Sequence, residues 1–302
     1  MDYADVCVLI PTYNEAETIA DVVADYRDEG FSNVLVIDGD STDGTRELAD
    51  EAGARVVVQS GSGKGQAVRE AVEKYVEAEY VLMLDGDGTY EAADATKMLE
   101  PLEEGYDHVI GNRFADMRAG AMTRLNQIGN KIINRAFGLI HGQDFRDILS
   151  GYRAFTRESF LQMTLTSDGF GIETEMAVEC AKRGFKTTVV PTTYYPRPSG
   201  SNTNLHPIRD GGIIFLELYR RAKTNNPLFY FGSVGLASTA AGLGLALYVG
   251  YEWVVRSISH EVIAVVSAAG ILFGVQLLMF GVLSDLILSL HRDQMKRIEE
   301  LE

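Results

Sequence analysis

Two long stretches of this chain carry no charge. From Thr224 to Tyr251 there are 28 consecutive residues without Asp, Glu, Lys or Arg, and from Val262 to Ser284 there are 23. As helices they would reach about 42 and about 34 Å, against a bilayer hydrocarbon core of about 30 Å. A buried core hairpin of a soluble domain is the alternative, but no neighbouring sequence is available to cover two spans of this length. Small residues such as Gly235, Ala237 and Gly242 would let two membrane helices approach closely. Only Glu252–Glu261, with the single basic residue Arg256, separates the spans. Arg220, Arg221 and Lys223 precede the first span, and Arg292, Lys296 and Arg297 follow the second. The positive-inside rule puts both flanks in the cytoplasm. The expected organisation is a cytoplasmic domain over 1–222, two transmembrane helices near 228–250 and 262–285, and a cytoplasmic tail over 291–302. That makes a multi-pass protein of the cell membrane.

Charge divides at the same place. The whole chain has a net charge of −16, but residues 211–302 hold 8 acids and 7 bases. Nearly all the excess therefore lies in the N-terminal region, which argues against a nucleic-acid binder. A single basic island interrupts this acidic region: residues 111–142 have five bases (Arg113, Arg118, Arg124, Lys131 and Arg135) and one acid, Asp116. Met122, Leu125, Ile128, Ile132, Ile133, Ala136, Phe137 and Ile140 recur there at helical spacing. A basic amphipathic helix of this kind lies on an anionic membrane surface, unless its apolar stripe merely covers a sheet. Ile214, Phe215, Leu218 and Tyr219, followed by Arg220 and Arg221, suggest a second such helix. Cys7 and Cys180 are too few and too far apart for a disulfide framework or a thiolate metal site. Asp2, Asp5, Glu15 and Glu17 in the first 20 residues leave no secretory signal to expect there.

Residues 1–222 alternate apolar runs with helical patterns. The runs are Val6–Ile10, Asn33–Ile37, Arg55–Val58, Tyr80–Leu84 and His108–Ile110. This order predicts a doubly wound α/β domain with a mainly parallel sheet. Ligands bind such sheets beyond the carboxyl ends of the strands. The polar clusters Pro11–Glu15, Asp38–Asp43, Asp85–Asp87 and Gly111–Arg113 all fall there. Asp85 and Asp87 offer two hard oxygen ligands with open positions, suited to Mg²⁺ or Mn²⁺ on a diphosphate, and Gly86 and Gly88 would let phosphate oxygens approach the backbone. Gly61-Ser62-Gly63-Lys64-Gly65 lacks the spacing of a P-loop. It reads as a strand-to-helix turn, with Lys64 either lent to a nucleotide or solvated. None of the five histidines belongs to a Ser-His-Asp, His-Cys or H-E-x-x-H pattern.

Taken in order, these motifs and the run Asp147-Ile148-Leu149-Ser150-Gly151-Tyr152-Arg153 resemble family 2 glycosyltransferases. More narrowly they are similar to polyprenyl-phosphate hexosyltransferases, the dolichyl-phosphate mannose and glucose synthase group. The acidic, membrane-anchored form resembles the haloarchaeal members that start N-glycan assembly. The resemblance implies a GT-A-type domain, a nucleotide-sugar donor and a dolichyl-phosphate acceptor. It also implies inverting transfer assisted by Mg²⁺ or Mn²⁺. Pro11, Tyr13 and Glu15 would line the nucleoside pocket with Asp38 on the base, and Asp85 and Asp87 would meet the phosphates and the metal. Asp87, Arg113 and Asp147 would form the catalytic set, and Arg113, Arg124, Arg197 and Ser201 would receive the acceptor phosphate. Two positions depart from the pattern: Thr89 stands where relatives often have Gln, and Arg197-Pro198-Ser199-Gly200-Ser201 is not followed by the family's lysine. Glu173 and Glu175 match an acidic pair of the family, or else are solvated helix faces.

UDP-glucose is the preferred donor and GDP-mannose the alternative. Q-x-x-R-W, the mark of processive synthases, is missing around the only tryptophan, Trp253. A nucleotidyltransferase would need no membrane hairpin. An inactive nucleotide-sugar-binding relative would be expected to have lost Asp85, Asp87 or Arg113. Arg113→Ala is expected to abolish transfer with the fold intact. For topology, protease added to intact cells should leave the N-terminal domain whole, and added to inside-out vesicles should digest it. Cleavage in intact cells would reverse the assigned orientation.

Overall fold

Every residue of β1 (Val6–Thr12) is buried, so this strand reads as a continuous apolar run rather than an alternating one. That is the mark of a parallel strand covered on both faces. In the computed structural model β1 lies inside a seven-stranded sheet of order β3-β2-β1-β4-β6-β5-β7. The other strands are β2 (Val34–Asp38), β3 (Arg55–Val58), β4 (Tyr80–Met83), β5 (His108–Met117), β6 (Arg153–Thr156) and β7 (Thr187–Tyr194). The structure describes residues 2–169, 171–198 and 226–299, with 212, 216, 219 and 223 between them. The chain divides into two units, Met1–Ile214 and Phe215–Glu302.

β1, β2, β3 and β4 run parallel, and β5 runs parallel to β7. β6 is antiparallel to both its neighbours. Its first residue, Arg153, pairs with Met83 near the end of β4 and with Ile110 in β5. This one reversed strand carries the 147–152 loop to the edge where the parallel strands end. The five apolar runs match β1 to β5, but they do not mark β6 and β7. β6 has four residues, and β7 is a half-buried edge strand interrupted by Pro191, a residue tolerated in sheets at edges.

Helices α1 (Ile19–Asp28), α2 (Thr45–Glu51), α3 (Lys64–Lys74) and α4 (Ala95–Glu103) follow the first four strands. Val6, Val8 and Ile10 share one face of β1 and join Ile19, Val22, Val23, Tyr26, Met98 and Leu102 in the core. α5 (Arg124–His141), α6 (Arg157–Gln162) and α7 (Ile172–Arg183) are further helices of the first unit.

In the second unit α8 (Pro227–Arg256) and α9 (Glu261–Glu299) are long and apolar enough to cross a membrane. α8 continues past the expected end near 250, and Glu252 is buried within it, paired with Arg256 at 2.9 Å. The two helices pack antiparallel through small residues. Ser238 Oγ donates to Gly270 O at 2.9 Å, and Ser267 Oγ donates to Gly242 O at 2.8 Å. Gly235 and Gly242 lie in this contact, whereas Ala237 faces out. A Cβ on Gly274 would stand 2.5 Å from Gly235 O and 2.7 Å from Thr239 N, both backbone atoms that cannot swing away. Gly274→Val should therefore destabilise the hairpin by about 1–3 kcal/mol, as overpacking does. Thermal unfolding of the full chain in detergent would read this. Gly244→Ala, where a Cβ meets nothing within 4 Å, is the control expected to change little.

Candidate active site

The loops after β1 and β2 are sewn together. Asn14 N donates to Ser41 Oγ at 2.8 Å, and Glu15 N donates to Thr45 Oγ1 at 2.9 Å. Pro11 ends β1 beside Thr12, and Tyr13 is half exposed just beyond it. Asp38 departs from its expected place on a base. It is fully buried, and its oxygens accept from Thr12 Oγ1 (3.1 Å), Ser41 N (2.7 Å) and Ser41 Oγ (2.6 Å). Here it holds the 39–44 loop in shape.

Asp85 and Asp87 follow β4 at the same edge. Gly86 between them faces protein: a Cβ there would fall 2.8 Å from Thr12 Cγ2, so its small size serves packing rather than phosphate approach. Thr89 donates to Asp87 Oδ1 from N (3.2 Å) and Oγ1 (2.6 Å), which spends its hydroxyl on orienting the carboxylate. Lys64, the first residue of α3, contacts Asp85 Oδ1 and lies 2.5 Å from Glu173 Oε1. It is neither solvated nor in an open anion cradle. Its flanking glycines, Gly63 and Gly65, press against the carbonyls of Asp168 and Ser167, where any Cβ would collide. Burial alone would lower the Lys64 pKa, but Asp85 and Glu173 outweigh it and keep the ammonium charged. The same pairing outweighs burial at Asp85 and holds its pKa down. Burial, and then the charge of Asp85, push Asp87 up. Arg197 Nη2 sits 2.6 Å from Asp87 Oδ2 and Arg197 Nη1 sits 3.8 Å from Glu15 Oε1. Burial and the Asp87 charge raise Glu15 to about 7.

Among the described residues no group of three His, Cys, Asp or Glu side chains is arranged to hold an ion. Two carboxylates at the end of one strand instead fit a Mg²⁺ or Mn²⁺ ion that takes its remaining ligands from a diphosphate and water. An all-protein cage is not what this donor set provides.

Arg113 lies on β5 where its register with β7 shifts between Asn112 and Asp116, a bulge that re-aims the side chain. Its Nε and Nη2 form a fork on Asp147, at 2.7 Å to Oδ2 and 2.8 Å to Oδ1. Nη2 also donates to Asn130 Oδ1 at 3.3 Å, and the guanidinium stacks 5.4 Å above the Tyr194 ring centre. Nη1 has no hydrogen-bond partner among the described residues. Asp147 is fully buried, so it positions Arg113 and is not open to substrate. Tyr90 sits beneath, its ring centre 4.9 Å from that of Tyr152 and 5.5 Å from that of Tyr194, and its hydroxyl accepts from Gly151 N at 3.1 Å. Sequence reasoning missed Tyr90, Tyr194 and Asn130, because no spacing links residues that meet only through tertiary packing.

The remaining expected residues fall as follows. Arg124 opens α5 and is exposed. The α5 stripe is two stripes: Ile133, Phe137 and Ile140 are buried, while Leu125, Ile128, Ile132 and Leu139 are each more than half exposed. Arg124, Lys131 and Arg135 are exposed along one flank of the outer stripe. Glu175 is not a solvated face; it is buried and accepts from Thr166 N (2.8 Å) and Ser167 N (2.7 Å). Ser201 lies outside the described residues. So do Ile214, Phe215, Leu218, Arg220 and Arg221 of the second amphipathic helix.

The Arg113–Asp147 pair alters what Arg113→Ala is expected to do. Removing the guanidinium strands a buried carboxylate, which costs about 3–5 kcal/mol. Arg113→Ala is therefore expected to destabilise the fold as well as to impair transfer. Arg113→Lys keeps the charge and loses the fork. Thermal unfolding should show a larger loss for Arg113→Ala than for Arg113→Lys, with transfer reduced in both.

Comparison with known proteins gives the family. Residues 7–163 match the family described as Glycosyl transferase family 2. Glycosyltransferase AglJ of Haloferax volcanii is 89% identical over 297 residues, 98% of this chain and 98% of that one. The dolichyl-phosphate hexose transferase of the same organism is 34% identical over 214 residues, 70% of this chain and 91% of that protein. Glucosyl-3-phosphoglycerate synthase from Mycobacterium tuberculosis, solved with Mn²⁺, UDP-glucose and phosphoglyceric acid, shares the fold. Its TM-score is 0.60 over 72% of this chain and 79% of that one, at 20% identity. An acidic pair, a forked arginine and a reversed strand on a GT-A-type sheet thus accompany a family match over more than half the sequence, and the chain belongs to glycosyl transferase family 2 as a glycosyltransferase.

Proposed function

We propose that the enzyme transfers a hexose from a nucleotide sugar, UDP-glucose by preference, to dolichyl phosphate with inversion at the anomeric carbon. The product, dolichyl-phosphate hexose, would serve N-glycosylation. The observation that carries this reading is the meeting of Asp85 and Asp87 with the cationic groups of Lys64, Arg197 and Arg113 at one sheet edge. Such a site suits a reaction that brings two anionic phosphates together. Tyr13, half exposed beyond the buried Pro11 at the end of β1, offers a wall for the nucleoside. A divalent cation at Asp85 and Asp87 would supply charge neutralisation for the departing diphosphate. Arg113, held by Asp147, presents Nη1 to the phosphates.

A phosphate monoester is already a nucleophile near neutral pH, so no strong general base is required. Its oxygen forms the new bond to the anomeric carbon as the bond to the nucleoside diphosphate breaks, and the diphosphate leaves with the electron pair. Proximity and electrostatic positioning supply the acceleration. The outer stripe of α5 suits a lipid surface, with apolar residues entering the interface and Arg124, Lys131 and Arg135 at headgroup level. Arg124 stands at a helix N-terminus, where a cation gains nothing from the helix dipole and gains much from a phosphate ligand. The hairpin α8–α9 anchors the chain, with the N-terminal unit in the cytoplasm.

Purified full-length protein should be incubated with dolichyl phosphate and labelled UDP-glucose or GDP-mannose, with Mg²⁺, Mn²⁺ or chelator. Labelled lipid should appear with UDP-glucose and a divalent ion, and fall at least tenfold in Arg124→Ala. Labelling from GDP-mannose alone would change the donor. No labelled lipid from either donor would remove the acceptor assignment.

A further inference from the structure

Both carboxylates of the acidic pair are already taken by protein cations. Lys64 Nζ bridges Asp85 Oδ1 and Glu173 Oε1, and Arg197 bridges Asp87 Oδ2 and Glu15 Oε1. Each cation is thus shared between one carboxylate of the pair and one outside it. A divalent ion at Asp85 and Asp87 competes for the same oxygens, and its charge repels both side chains. Neither cation has to be expelled into a strange place. Glu173 keeps Lys64 paired when Asp85 is surrendered, and a nucleoside diphosphate brings new oxygens within reach of a flexible four-carbon stem. The stem alone must move, because the start of α3 is pinned. Gly65 N donates to Asp168 O at 2.9 Å, and Gly63 and Gly65 are in close backbone contact with the 167–168 turn.

We propose that Lys64 is an exchangeable counter-ion: it neutralises Asp85 until donor and divalent ion arrive together, then cedes Asp85 to the ion and takes a diphosphate oxygen. The exchange makes binding of ion and nucleotide mutually dependent, since each frees what the other needs. This inference rests on the reading of Asp85 and Asp87 as the donor site. Glu173 is a positioning residue in it, since it holds Lys64 in the mouth in both arrangements.

Equilibrium Mn²⁺ binding to the full-length protein, read from the free-ion electron paramagnetic resonance signal, tests the exchange without any turnover. Wild type should bind Mn²⁺ weakly alone and much more tightly with UDP. Lys64→Met should tighten Mn²⁺ alone, weaken UDP, and cut the UDP-induced gain by about tenfold, within the usual range of coupling between sites. Glu173→Gln retains the shape of the site and leaves Lys64 wholly on Asp85. It should weaken Mn²⁺ alone severalfold and leave binding with UDP nearly unchanged, so that the gain rises. A fixed lysine acting only through its charge would change Mn²⁺ affinity equally with and without UDP. An unchanged gain in whichever variants fold, with the wild-type gain present, overturns the exchange. Absence of any UDP-induced gain in wild type overturns the donor-site reading, and the exchange with it.

Discussion

One buried guanidinium holds the mouth of the sheet together. Arg153 has no exposed surface, yet its donors are spent on the carbonyls of Ile148 (2.7 Å) and Ser150 (3.1 Å) and on His108 Nε2 (3.1 Å). Burial, and then the neighbouring Arg153 charge, push the His108 pKa well down, so the ring stays neutral and accepts. Anchored in this way, the 147–151 loop delivers Asp147 to Arg113. The same loop brings Gly151 so close to Asp85 that a Cβ there would displace the carboxylate. Asp147, and through it the orientation of Arg113, is therefore placed by the one strand that runs against the rest of the sheet.

Charge is distributed with similar economy. The chain is strongly acidic, with 19 Arg and 8 Lys. In concentrated salt such a surface loses most of its self-repulsion within a few ångströms. Inside the mouth, carboxylates are neutralised in pairs: Asp85 by Lys64, Asp87 by Arg197 and Asp147 by Arg113. Among the described residues Arg124, Lys131 and Arg135 make no such pair, and they lie along α5 beside its exposed apolar stripe. The acidic average conceals that local arrangement.

Much of the fold was legible because parallel strands buried on both faces leave continuous apolar runs. β1, β2 and β4, with the acidic turns after them, could be read in this way, and the apolar runs at β3 and at the start of β5 also showed. β6, four residues long, and the half-buried edge strand β7 carry too weak a pattern to stand out. The amphipathic character of α5 was also legible, but its two stripes overlap in one sequence pattern. Only the packing shows that Phe137 faces in and Ile132 faces out. Glu175 looked like an ordinary solvated acid and instead staples the 166–167 turn. Asp38 looked like a ligand for a base and instead braces its own loop.

By itself the sequence determined the alternating α/β order, the position of polar clusters after strands, the two apolar spans and the family. These depend on local periodicity and motif spacing, which a linear chain displays. Tertiary structure decided which charges meet. Arg113 and Asp147 are 34 residues apart, Lys64 and Asp85 are 21 apart, and Tyr90 reaches Gly151 across 61. The pairs made by Asp147 and Gly151 use the loop that leads into β6, set antiparallel between β4 and β5, and no local pattern records that choice.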